Sequence, residues 1–355
     1  MELSKKDIQK AKGVAIIGMI MLHLFCRLGN LPYNPMIYVF GTPLIYYIGL
    51  FGDICVPIYC FCSGYAQMLL KEKHGTRYNN LIPKRILKFL CNYWTVVVLF
   101  SVVGLVVDST VIPGSVGKFM GNIFLYGINY NGAWWFVLTY IILLILSPVL
   151  IKLVNNSNSL FLIFESGILY FIAYLFRFKF VFYMPNRVLN WMWQQSILLG
   201  TSQFSFMIGL ICYEKKCISK LRTWLQTLRE QGTPYKVKIV YILLGCVLPL
   251  IAFIGHCVIQ SLIIAPITAR TVLISLFVLE LPSWLNKFLL LMGKHSTNIW
   301  LIHMFFYMYL FEGLVFKAKY PVAIFTFMMI ICLCVSCFIN AVNTVIIRFV
   351  ENVHV

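Results

Sequence analysis

The chain has 355 residues, 61% of them hydrophobic and 11% charged, with a mean hydropathy of +0.87. So little polar surface excludes a water-soluble domain and leaves a polytopic membrane protein. The formal net charge of +18 sits in short basic stretches between apolar runs, a topology signal that excludes nucleic acid as a partner and makes attraction to anionic membrane lipids its by-product.

In chain order, apolar stretches bounded by charged or Pro/Gly-rich breaks predict an all-α membrane bundle. The helices fall near 10–29, 45–70, 86–107, 133–152, 160–178, 196–213, 238–257, 266–283, 295–315 and 322–347, ten in all. The stretch 119–130 (FMGNIFLYGINY) is too short to span and is expected to lie at the interface or re-enter. The first apolar segment has no small-residue cleavage pattern after it, so it reads as a retained helix.

Placing the N-terminus in the cytoplasm puts 21 of the 29 basic residues inside, among them Arg348 and the clusters at 5–12, 71–88 and 215–238. Ten helices with both termini cytoplasmic satisfy this pattern, and 266–283 is its weakest span. No loop holds a soluble domain; the largest, 214–237, is a candidate surface helix. One domain over 1–355 in the cell membrane is therefore expected. The twelve cysteines lie mostly inside apolar runs, with no paired metal-ligand loops and no disulfide framework. Cys334 and Cys337 are spaced C-x-x-C, but within an unbroken apolar helix they read as small apolar side chains, and no metal site is expected.

Few polar side chains lie at membrane depth. Lys12 and His23 are eleven residues apart in KGVAIIGMIMLH, about three helical turns, so they share one face with His23 about 16 Å deeper. An ionisable group at that depth is usually kept for function. A cation at the rim with an imidazole below suggests an anionic ligand reaching a proton-transfer group. The second helix carries FGDICVPIYCFCSGY, where Gly52, Pro57 and Gly64 predict a kinked or unwound segment. Its Ser63 either donates a hydrogen bond near His23 or bonds its own backbone, and its Asp53 either orients an incoming hydroxyl or sits in interfacial water.

Arg85 and Lys88 open the third helix at i and i+3, as partners of Lys12 in a phosphate clamp or as ordinary cytoplasmic helix-end charges. Trp134, Trp135 and Phe136 start the fourth helix as an aromatic belt or a substrate wall. His303, nine residues past Lys294, reaches a level similar to that of His23; it lines the same cavity or is a structural histidine bonded between helices. His256 and Arg270 flank an outer loop.

Together these segments resemble the acyltransferase-3 family of membrane acyltransferases. KGVAIIGMIMLH is similar to its first-helix motif of a basic residue, usually Arg, ten residues and His. VPIYCFCSGY resembles its Ser-Gly-aromatic second helix, PKRILKFL its basic pair, AWWFVLTYIILLILSPVL its Trp-Phe helix and STNIWLIHMFF its late His segment. The matches occur in family order over 5–305. Lys12 replaces the commoner Arg, Lys88 stands where a second Arg is frequent, and Cys60 and Cys62 interrupt a run that is usually Phe- and Val-rich. The soluble esterase-like domain of some relatives has no counterpart, so transfer is expected to finish in the membrane domain or with a partner.

The resemblance implies transfer of an acyl group, most often acetyl, from acyl-CoA as donor substrate to a hydroxyl of an envelope polysaccharide or lipid-linked sugar, with no permanently bound cofactor. Lys12, Arg85 and Lys88 would hold the CoA phosphates. His23 would be the general base or acyl relay, with Ser63 or His303 steadying the oxyanion and Asp53 and Trp135 supporting the substrate. The alternatives are a transporter or flippase for a lipid-linked glycan, or a non-catalytic scaffold of envelope synthesis.

Overall fold

A computed structural model describes residues 2–353, with side chains to residue 346; the side chain of Arg348 lies outside the described residues. Helix α1, Lys5–Phe25, starts where Ser4 and Asp7 form a capping box. Helix α2, Leu44–Phe51, passes through a 3-10 turn, Gly52–Ile54, into α3, Cys55–His74. A second 3-10 turn, Gly75–Arg77, leads to α4, Tyr78–Val107. The short α5, Val116–Ile123, precedes α6, Trp135–Asn156, α7, Ser159–Phe178, and α8, Arg187–Glu214. Helix α9, Cys217–Gln231, joins α10, Pro234–Ile242, which runs through a π-turn into α11, Leu248–Ile259. Then follow α12, Ala265–Val278, α13, Ser283–Met304, α14, Glu312–Phe316, and α15, Pro321–Val353. The strands described are Tyr38–Val39 and Thr42–Pro43, an antiparallel pair turning at Phe40 and Gly41, both with positive φ.

This is a polytopic membrane helix bundle. Among the described residues seven helical runs are long and apolar enough to cross a membrane, and one of them, Leu44–Val107, has 64 residues. At 1.5 Å per residue that run would extend about 96 Å, three bilayer cores, so it supplies two legs. It folds at Gly75, whose φ of +54° an L side chain rarely adopts.

A helix stands at each of the ten expected places, but several ends move: α4 starts at Tyr78, not 86, and α8 at Arg187, not 196. The stretch expected at 266–283 is helical only over Ala265–Val278, 14 residues or about 21 Å, because Leu279 turns extended ahead of Pro282. Helix α13 begins at Ser283, not 295, and takes Lys287 and Lys294 into its body. The stretch 119–130 does not span: α5 has eight residues and docks beside the middle of α4, where Tyr93 Oη and Trp94 Nε1 donate to the Asn122 and Ile123 carbonyls at 2.7 and 3.0 Å.

The outer surface is apolar: Leu250, Ile251 and Val258 are exposed along α11, Val258 to 77%, where only lipid can match them. All twelve cysteines are free, and Cys334 and Cys337 are exposed on α15. In lipid the hydrophobic effect does not join helices, so close packing and hydrogen bonds must. Helices α3 and α8 cross with Gly64 against the Phe206 backbone and Gly209 against Phe61 and Tyr65, where a Cβ would meet main chain. Helix α4 is tied to α13 and α15 by amides: Asn92 Nδ2 donates to Asn298 Oδ1 at 2.8 Å, and Asn298 Nδ2 to Asn340 Oδ1 at 2.9 Å.

These contacts fix directions. Helix α1 runs antiparallel to α3, since Gly52 packs on Gly18 while the Leu3 N–H donates to Tyr65 Oη at 3.0 Å. It runs parallel to α13, since Gln9 Nε2 donates to the Leu290 carbonyl at 2.7 Å and His23 meets His303. Arg222 of α9 reaches Asp7 at 3.1 Å, and Tyr213 donates to Glu72. The basic clusters at 5–12, 71–88 and 215–238 thus gather at one end of the bundle.

Candidate active site

A cavity of about 280 Å³ runs inside the bundle, lined from α1, α3, α4, α6, α7, α8, α12 and α13. Of the expected residues it brings together Lys12, His23, Asp53, Ser63, Arg85 and Trp135. His303 touches His23 from outside the lining, with ring centroids 4.9 Å apart. Lys88 is not brought in. It is exposed, and from α4 the cavity takes Arg85 and Phe89, one full turn apart, while a residue at i+3 swings off that face.

At the basic end stand Lys12 and Arg85. Among the described residues neither has a carboxylate partner, since the ion pairs are Asp7 with Lys10 and Arg222, Arg229 with Glu280, and Asp53 with His256. Arg85 is held by a side chain with no role in the sequence reading, Gln67. Its Nη1 donates to Gln67 Oε1 at 2.7 Å, and fully buried Gln67 also accepts from Tyr78 Oη at 3.0 Å. Tyr78 Oη is in turn 2.7 Å from Ser147 Oγ. One guanidinium nitrogen is therefore fixed and the others remain for a ligand.

Ser63 bonds neither its own helix nor any other group; its Oγ is buried without a partner on the cavity wall. Its level corrects the expected role. Gly52 packs on Gly18 and Leu22, and Ser63 lies eight residues, about 12 Å, beyond the start of α3 toward the basic end. That puts it with Lys12, too far down to steady charge at His23.

His23 lies about 16 Å deeper along α1. Its Nδ1 is 3.2 Å from Tyr307 Oη, and among the described residues its Nε2 has no hydrogen-bond partner, so that nitrogen is the one available for chemistry. His303 has a different assignment from either expected. Its Nδ1 must be the donor to the Trp300 carbonyl, 2.8 Å away, because a carbonyl only accepts. The neutral ring then carries a lone pair at Nε2, buried without a partner, and has no proton for an oxyanion. It forms the wall behind His23.

Around this deeper half stand Asp53, Trp135, Tyr170, Tyr174 and Arg177. The 3-10 turn carries Asp53, and its Oδ2 is 3.5 Å from Nε2 of His256, which is completely buried. The Arg177 guanidinium lies 4.6 Å over the Trp135 ring and donates to Thr201 Oγ1 at 3.0 Å. The Trp135 indole N–H has no hydrogen-bond partner. Sequence reasoning missed Tyr307, Gln67 and Arg177. Tyr307 and Gln67 each sit four residues after a chosen residue, His303 and Ser63, on the same helical face, so a face-by-face reading would have found them. Arg177 was counted only as an outer basic residue.

An acyltransferase-domain family model, that of acyltransferase-3, matches residues 6–341. The chain belongs to the acyltransferase-3 family. Neither a curated protein nor a solved structure matches it. An acyltransferase-3 protein is an acyltransferase, so transporter-only and scaffold-only readings give way to an enzyme in the membrane. All five segments that carried the resemblance line the cavity, PKRILKFL through Arg85 and Phe89 but not Lys88.

Proposed function

We propose that this membrane acyltransferase moves a short acyl group, acetyl first of all, from acyl-CoA to a hydroxyl of an envelope carbohydrate. One observation carries the reading: a single cavity has two cations without carboxylate partners at its basic end and an imidazole with a free Nε2 near its other end. Lys12 and Arg85 take the CoA phosphates, and Ser63 adds a hydroxyl donor beside them. From Lys12 to His23 is about 16 Å along α1. The pantetheine arm, about thirteen bonds long, covers that span at the roughly 1.2 Å per bond of an extended chain. The thioester then arrives at His23.

In the tautomer whose Nδ1–H donates to Tyr307 Oη, 3.2 Å away, His23 Nε2 holds the lone pair. It takes the proton of the acceptor hydroxyl as the oxygen attacks the thioester carbonyl. The tetrahedral intermediate collapses by breaking the carbon–sulfur bond, and the imidazolium returns the proton to the CoA thiolate. The products are an ester and free CoA. Trp135, whose N–H is unspent, supplies a donor for the oxyanion and an aromatic wall for the sugar. A cytoplasmic basic end gives the donor access to CoA and leaves the deeper half to the acceptor.

The test is acyl transfer by the purified protein in lipid nanodiscs, from labelled acetyl-CoA to a panel of envelope glycans. Ester-linked label, released by mild base and dependent on His23, is expected. Failure of the wild type to turn over any acyl-CoA, or an unchanged rate for His23→Ala, overturns the proposal.

A further inference from the structure

The deeper half of the cavity has a charge the transfer chemistry does not use. Arg177 reaches the cavity from the last turn of α7. Its position is fixed by the Trp135 ring 4.6 Å away, the Phe178 ring at 5.1 Å and the bond to Thr201 Oγ1 at 3.0 Å. All three partners are neutral. The one carboxylate on this wall, Asp53, forms no ion pair with Arg177 among the described residues and acts on it only at longer range; its Oδ2 is 3.5 Å from the imidazole Nε2 of His256. A second guanidinium lies behind the wall: Arg270 stacks 4.7 Å over Phe204, has a buried Nη2 without a partner, and Phe204 in turn packs on the cavity residue Tyr170. Two guanidiniums thus outnumber the one carboxylate on this wall. A cation held inside a membrane bundle without a directly paired counter-charge is costly, and a ligand oxyanion lowers that cost.

We infer that the acceptor is anionic: a sugar unit bearing a carboxylate or phosphate whose oxyanion is clamped by Arg177 while a neighbouring hydroxyl is presented to His23. This rests on the acyl-transfer reading and narrows its acceptor class. A planar guanidinium with most of its N–H groups free matches the two oxygens of a carboxylate or phosphate.

Binding, not turnover, tests this. Titrate the full chain in phosphatidylcholine nanodiscs with trigalacturonate against its methyl ester, and with glucose 6-phosphate against glucose. The wild type is expected to favour the charged member of at least one pair by tenfold or more, the effect of one charge-assisted bond. Arg177→Gln is expected to bring that ratio near one, and Arg177→Lys, a point charge without the fork, to keep part of it. Acyl-CoA binding at the basic end reports that each variant is folded.

A wild-type ratio near one, or a ratio unchanged in Arg177→Gln, overturns the inference. Nanodiscs containing phosphatidylglycerol supply the other source of the same oxyanion. If they abolish the selectivity, Arg177 holds a lipid headgroup and the acceptor assignment falls. Selectivity for the anionic sugar without any acyl-CoA binding would instead overturn the transfer reading and leave this one standing.

Discussion

The His23–Tyr307 pair allows the mechanism to be tested as a cycle. His23→Gln keeps a polar side chain of similar reach but removes the base. Loss of general base catalysis costs about 10²- to 10⁴-fold in kcat, or roughly 3–5 kcal/mol of barrier. Tyr307→Phe removes only the hydroxyl 3.2 Å from Nδ1 and keeps the ring that packs on His303 at 5.9 Å. One such bond contributes about 0.5–1.5 kcal/mol, so kcat should fall about two- to twelvefold with little change in KM. The double variant decides the question. If Tyr307 acts only by orienting His23, removing it from the His23→Gln protein changes kcat by less than about twofold, because the two residues act as a unit. The assay is CoA-thiol release at saturating acyl-CoA, with binding of acyl-CoA measured separately to show that each variant is folded. Additive effects would refute the orienting role. A His23→Gln enzyme within threefold of the wild type would refute the base itself.

Three further outcomes follow from the cavity and its walls. Lys12→Gln and Arg85→Gln should each raise the KM for acyl-CoA about tenfold with kcat nearly constant, because they act far from the reacting carbon, whereas exposed Lys88→Gln should change neither by more than about twofold. Gln67→Leu should weaken acyl-CoA binding by releasing Arg85 and should lower thermal stability by about 1–3 kcal/mol, as it strips a buried acceptor from Tyr78; thermal unfolding with and without acyl-CoA separates the two effects. Gly64→Val should drive a side chain into the Phe206 backbone and cost about 1–3 kcal/mol or more by overpacking, seen as a lowered unfolding temperature in detergent.

Hydropathy placed the helices because a bilayer imposes one length on every span, and the misjudged ends have local causes. Helix α12 stops before Pro282, and α13 begins early because its stretch 283–294, too polar for a hydropathy run, packs on α1: Gly13 meets the Leu289 carbonyl, and Gln9 Nε2 donates to the Leu290 carbonyl at 2.7 Å. Hydropathy cannot distinguish such a buried polar face from a loop. The site was legible wherever it depended on one helix. Lys12 and His23 share a face by count alone, and the structure sets both on one cavity. What a single helix cannot report is relative depth. On its own helix Ser63 reads as a candidate donor to His23, yet α3 descends while α1 ascends, and the Gly18–Gly52 contact fixes their offset. Nor can it report which charges are already paired. Asp53 and Arg177 both line the cavity, yet among the described residues they form no ion pair, and the direct partners of Arg177 are neutral. The assignment of an anionic acceptor rests on that unpaired charge, a property of the packing between helices that no one segment of the sequence carries.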